Sequence, residues 1–168
     1  DPDPYAGPVD FQRDRRILEA IKVGRLTLDA RDRRRLRALY DAEISYHDTH
    51  FATVLEALER RGLADDTVVV FTSDHGEEFF EHGSVGHGHS VWEELLAVPL
   101  LVRIPGLTDE GARVEGSVGL VDVAPTVLDA LGLDVPSDVP GRSLIPRLRG
   151  APASAPTAAV SAFMGGWR

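Results

Sequence analysis

Apolar positions along this chain follow two different periods. From Asp29 to Gly62, Leu36, Tyr40, Ile44, His47, Phe51, Val54, Leu55 and Leu58 recur at three- and four-residue spacing, which predicts one long helix with a single apolar stripe. Asp29 suits its N-cap, Asp32 puts negative charge in the first turn, Arg60 and Arg61 suit the last turn, and Gly62 suits the residue beyond it. His47 falls on the stripe and is expected to pack there, whereas Asp48 and His50 fall off it. After a turn at Ala64-Asp65-Asp66 the pattern becomes an unbroken β-branched run, Thr67-Val68-Val69-Val70-Phe71-Thr72, which predicts a buried strand.

Pro99-Leu100-Leu101-Val102 predicts a second strand, ended by Pro105-Gly106, and Val114 to Val121 suggests another. Ser90 to Leu96 fits one or two helical turns, with Ser90 as cap and Glu93 at its third position. A helix capped by Asp122 is expected to run to about Leu131, a short helix to cover Ser143 to Leu148, and a last strand to cover Thr157 to Phe163. Residues 1–28 read as a surface connection with a short helical face at Ile17 and Ile21, and Gly150 to Pro156 as a mobile, low-complexity segment. Long helix followed by strand is the unit of an α/β protein. The expected fold class is therefore α/β, a mixed sheet flanked by helices.

Composition narrows the chemistry. The 168 residues are enough for one ordinary domain, and 43% apolar content supports a packed core. A formal net charge of -9 argues against a nucleic-acid partner, since such binders carry a basic surplus. No cysteine is present, so a metal site must use oxygen and imidazole ligands. No run reaches the length of a membrane span.

The candidate chemistry lies just past the first strand, where ligands gather in open α/β sheets. Asp74 and His75 are adjacent, and in a straight strand their side chains would point to opposite faces. A sharp turn, which Gly76 permits, would bring both to one divalent cation. Four of the six histidines fall between residues 75 and 89: His75, His82, His87 and His89. His87 and His89 are two apart, so an extended loop puts them on one side, and Gly83, Gly86 and Gly88 let backbone approach an oxyanion. The same cluster also fits an exposed loop with no ligand, or a non-catalytic binding module. Glu77, Glu78, Glu81, Glu93 and Glu94 read as solvated or supporting groups, and Trp92 and Phe79 as packing residues.

Several ordered blocks resemble the carboxyl-terminal part of a sulfatase catalytic domain, in the alkaline-phosphatase-like superfamily. They are Tyr40-Asp41-Ala42-Glu43-Ile44-Ser45-Tyr46, Val68 through Glu77, Gly86 through Glu94, Val98-Pro99-Leu100, Leu120 through Thr126, and Gly141-Arg142-Ser143-Leu144. The resemblance covers about Asp29 to Leu148 and implies one fragment, residues 1–168, of that domain. By position it implies that Asp74 and His75 bind the metal. The expected ion is calcium first, with manganese or zinc as alternatives because Asp-His stands where many sulfatases have Asp-Asn. His87 or His89, His87 first, would contact the sulfate or protonate the leaving alcohol.

The family's nucleophile, a formylglycine made within a Cys/Ser-x-Pro-x-Arg motif, has no counterpart here. The chain is thus expected to be a piece of a longer sulfatase, inactive alone, whose substrate is a sulfate-ester small molecule or glycan. The rivals within the superfamily are a phosphoesterase, a phosphonate hydrolase or a phosphoethanolamine transferase.

Overall fold

In the computed structural model the described residues are 16–108, 111 and 113–151. The strand expected at Thr157 to Phe163 lies outside them. The chain divides into two units, one built from residues 16–56 and 75–97 and the other from 57–74 and 98–151.

The first unit contains α1 (Arg16–Lys22), nearly all of α2 (Ala30–Arg60), β2 (Glu78–Phe79), β3 (Val85–Gly86) and α3 (Glu93–Leu96). Asp29 stops the preceding chain and starts α2, because its Oδ1 accepts the Arg31 and Asp32 backbone N–H groups at 2.7 and 2.8 Å. The core is Ile21, Leu28 and Val85, with Ile17, Leu26, Leu36 and Phe80 packed around it. Residues 16–22, expected to be a surface connection, thus supply a core helix. β2 and β3 pair antiparallel, Glu78 opposite Gly86 and Phe79 opposite Val85. The turn between them passes through Phe80 at φ 72, a left-handed conformation unusual for a bulky residue.

The long helix forms as expected, but the middle of its stripe is uncovered. Every residue from 41 to 50 is exposed, His47 included, and Ile44 is 53% exposed. His47 is therefore not a packing residue among the described residues. The core of this unit reaches Leu36 in the first turns of α2, and Phe51, Leu55 and Leu58 are half-buried nearer the other end of the helix.

The second unit contains β1 (Val69–Thr72), β4 (Leu100–Arg103), α4 (Val123–Ala130) and α5 (Ile145–Leu148). β1 and β4 pair antiparallel, Val69 opposite Arg103 and Thr72 opposite Leu100. In a two-strand ribbon most side chains stay partly open, and Phe71, Thr72 and Leu101 are exposed where a fully buried strand was expected. Among the described residues no strand forms between Val114 and Val121. The Arg147 guanidinium instead holds that segment by donating to the Glu115 and Ser117 carbonyls at 2.6 and 3.1 Å.

Asp122 precedes α4 as expected, yet it does not cap it. Its two carboxylate oxygens accept backbone N–H groups of Arg142 and Gly119 at 2.8 and 2.9 Å. Thr126 Oγ1 donates to the Asp122 carbonyl and accepts the Leu144 N–H, at 2.6 and 2.9 Å. Gly141 makes this closure possible, since a Cβ there would sit 2.2 Å from the Val121 carbonyl oxygen. Two sequence blocks about 20 residues apart are thereby locked together. The architecture is α/β throughout, with its described strands in two antiparallel pairs.

Candidate active site

Gly76 fixes the entry to the site. Its N–H donates to the Leu95 carbonyl at 2.9 Å, and a Cβ there would lie 2.0 Å from the Glu94 carbonyl oxygen. Close backbone approach, not a positive φ, is what demands glycine.

Beside it, His75, Glu77 and His87 each offer a ligand atom, and these atoms all lie within 4.8 Å of one another. His75 Nδ1 is 2.9 Å from the Gly76 carbonyl. A carbonyl only accepts, so Nδ1 is the donor there, and in the neutral ring Nε2 is the atom that can bind a metal. His87 Nδ1 is 2.5 Å from Glu77 Oε1, which orients the ring. The two imidazoles lie 3.9 Å apart between ring centres, tilted by 36°. Lys22 Nζ, from α1, donates to the His87 carbonyl at 3.1 Å. His75 and Glu77 are half-buried and His87 is exposed. Two nitrogens and one carboxylate oxygen form a donor set that fits a divalent cation.

His89 occupies a different setting. Its Nε2 is 2.7 Å from Glu78 Oε2, and Glu78 is fully buried. Glu78 Oε1 accepts the backbone N–H groups of Ser84 and His82 at 2.7 and 3.1 Å. Burial would push this carboxyl up. The His89 ring and the Ser84 and His82 N–H groups outweigh it and hold the group below the ordinary glutamate value. His89 Nδ1 is buried and has no hydrogen-bond partner among the described residues. His82 stacks on Trp92, ring centres 4.0 Å apart, and its Nε2 lies 3.2 Å from Glu94 Oε1.

Of the sequence-predicted residues, His75 and His87 meet, with Glu77 as the third member. His89 is held by the neighbouring Glu78. Asp74 is exposed at the bend after β1, the last residue of its segment of the second unit. Glu77 and Glu78 were expected to be solvated or supporting; one joins the ligand group and the other is buried beneath the histidine loop. Trp92 was expected to pack; it is 48% exposed.

Comparison with known proteins gives a consistent picture. The family model described as Sulfatase matches residues 2–133. The chain is 38% identical over 111 residues to arylsulfatase K of Bos taurus, covering 66% of this chain and 20% of that protein. It is 36% identical over 126 residues to the multifunctional alkaline phosphatase superfamily protein PehA of Trinickia caryophylli, covering 73% and 24%. Among solved structures it resembles a phosphonate monoester hydrolase from Silicibacter pomeroyi, with TM-score 0.69 and 35% identity over 80% of this chain and 26% of that one. It also resembles a protein solved with its substrate D-glucosamine-2-N,6-O-disulfate, with TM-score 0.56 and 38% identity over 62% of this chain and 21% of that one. The chain spans about a fifth to a quarter of the length of the curated relatives it matches.

Proposed function

The chain belongs to the sulfatase family, and from that premise we propose that it supplies the metal- and ester-holding part of a hydrolase of sulfate monoesters. The observation that carries this reading is the convergence of His75, Glu77 and His87 within 4.8 Å. His75 offers Nε2 to a divalent cation, and Glu77 fixes His87 beside it. The family motif adds Asp74 as a second ligand, on sequence position alone. When bound, the cation polarises a sulfate oxygen. Calcium is the ion the family suggests, while the imidazole-rich donors weigh toward manganese or zinc.

A nucleophile supplied by residues outside this chain, formylglycine in the family, forms the bond to sulfur as the bond from sulfur to the alcohol oxygen breaks. That oxygen takes its proton from Nε2 of a doubly protonated His87, with Glu77 balancing the charge. His89 remains the second candidate for this contact. A second reading, phosphonate or phosphate ester hydrolysis, is favoured by the likeness to the phosphonate monoester hydrolase. The apolar cleft of about 330 Å³ that Glu77 shares with Leu36, Leu39, Tyr40, Phe79 and Val85 suits an aryl leaving group in either case.

The test is hydrolysis of an aryl sulfate and an aryl phosphonate by the full-length protein, stripped of metal and reloaded with calcium, manganese or zinc. His87→Ala is expected to lower kcat by about 10²–10⁴-fold. His75→Ala is expected to weaken metal binding. Undiminished kcat in both His87→Ala and His89→Ala, or metal affinity unchanged in His75→Ala, overturns the reading.

A further inference from the structure

Glu77 and Glu78 are neighbours, yet they serve different histidines, and Glu78 has no free oxygen with which to take a ligand. We propose that Glu78 is a positioning residue: a buried carboxylate that clasps the loop of residues 82–89 and so sets where His87 stands relative to His75. The inference rests on the role given to His87 above.

The bonds bracket His87 on both sides. Glu78 Oε1 takes the N–H groups of His82 and Ser84, before it, and Oε2 takes His89, two residues after it. His87 has little else to hold it. Its side chain is 53% exposed and meets Glu77 and the tilted His75 ring, and the Lys22 ammonium donates to its carbonyl. The loop carries Gly83, Gly86 and Gly88, each at positive φ, so its intrinsic freedom is large. An imidazole on such a loop keeps one orientation only if the loop is tied down.

The turn itself points the same way. Phe80 sits at φ 72, which persists in a bulky residue only where surrounding contacts over-determine it. The Phe80 N–H donates to the Ser84 carbonyl at 2.8 Å and the Gly83 N–H to the Phe80 carbonyl at 3.2 Å. Glu78 adds the two further bonds that close this turn from inside. A fully buried ion is expensive unless it does something that an apolar residue cannot. Gathering three donors from residues 82, 84 and 89 is such a task.

The test compares Glu78→Asp with Glu78→Gln in the full-length protein. It reads amide exchange over residues 80–90 by mass spectrometry, with kcat and KM on the aryl ester. Glu78→Asp keeps the charge but shortens the reach. Its exchange at residues 82–84 is expected to rise, and its kcat to fall by about 10–100-fold, as for groups that orient metal-site residues, while KM changes little. Glu78→Gln keeps the length and one carbonyl oxygen for the backbone donors, so exchange and most of kcat should return toward wild type.

Faster exchange in Glu78→Asp with wild-type kcat would reduce Glu78 to a folding role and overturn the proposal. So would a kcat loss in Glu78→Gln with none in Glu78→Asp, which would assign the effect to charge. If wild type hydrolyses neither ester, the hydrolase reading fails, and the exchange comparison still decides whether Glu78 holds the loop.

Discussion

Asp29 holds the first turn of α2 with one carboxylate oxygen shared between two backbone N–H groups. Those bonds, from Asp32 and then Arg31, hold its carboxyl below the ordinary aspartate range. A carboxyl depressed on folding stabilises the folded state above its unfolded pKa, and that contribution is lost as pH falls through the folded value. Asp29→Ala is therefore expected to fray residues 30–33 at neutral pH, seen as faster amide exchange there. The gap between wild type and variant should close in acid, as Asp29 protonates; a gap that persists below the depressed pKa contradicts the capping role. Asp29 was legible from sequence because a cap acts on residues two and three positions away. Glu78 was not, because its partners lie as far as residue 89 and its burial follows from a hairpin no local rule announces. One hint was available: adjacent glutamates entering a strand cannot both face the same side.

At the scale of elements, periodicity found the helices and misjudged what covers them. The spacing from Leu36 to Leu58 correctly gave α2, since three- and four-residue spacing is a property of the helix itself. Burial depends on a second surface, and within the described residues the middle of the helix has none, while Leu36 on one side and Phe51, Leu55 and Leu58 on the other are half-buried. The two halves of that statement separate experimentally. Leu28→Ala, at 3% exposure in the core, is expected to cost about 2–5 kcal/mol. Ile44→Ala, on the exposed stretch of α2, should stay within about 0.5 kcal/mol in this chain. Chemical denaturation of the two variants checks this, and comparable losses would mean that the stripe is covered. The same reasoning explains β1. A β-branched run signals a strand, but Phe71 and Leu101 stay exposed because, among the described residues, only β4 pairs with it.

For the whole molecule, the question is how much of a hydrolase these 168 residues contain. Holding an ester and attacking it are separable demands, and the role proposed for this chain is the first. It has no cysteine and no Ser-x-Pro-x-Arg motif from which the family's nucleophile could be made. It also spans about a fifth of arylsulfatase K. With His87 kept for the leaving oxygen, His75 and Glu77 offer two donor atoms of this group, fewer than a divalent cation with four or more ligands needs. Missing ligands would be replaced by water, with a loss of affinity but not of the preference for this place. The chain by itself is accordingly expected to bind manganese weakly, by a calorimetric signal that His75→Ala abolishes, and to show no turnover of an aryl sulfate above that variant. Supplying the nucleophile-bearing remainder of the catalytic domain should restore turnover and tighten the metal together, because one cation would then be held by both parts. Turnover by the isolated chain would mean that a nucleophile lies within these residues, and the division of labour argued for His87 would have to be redrawn around it.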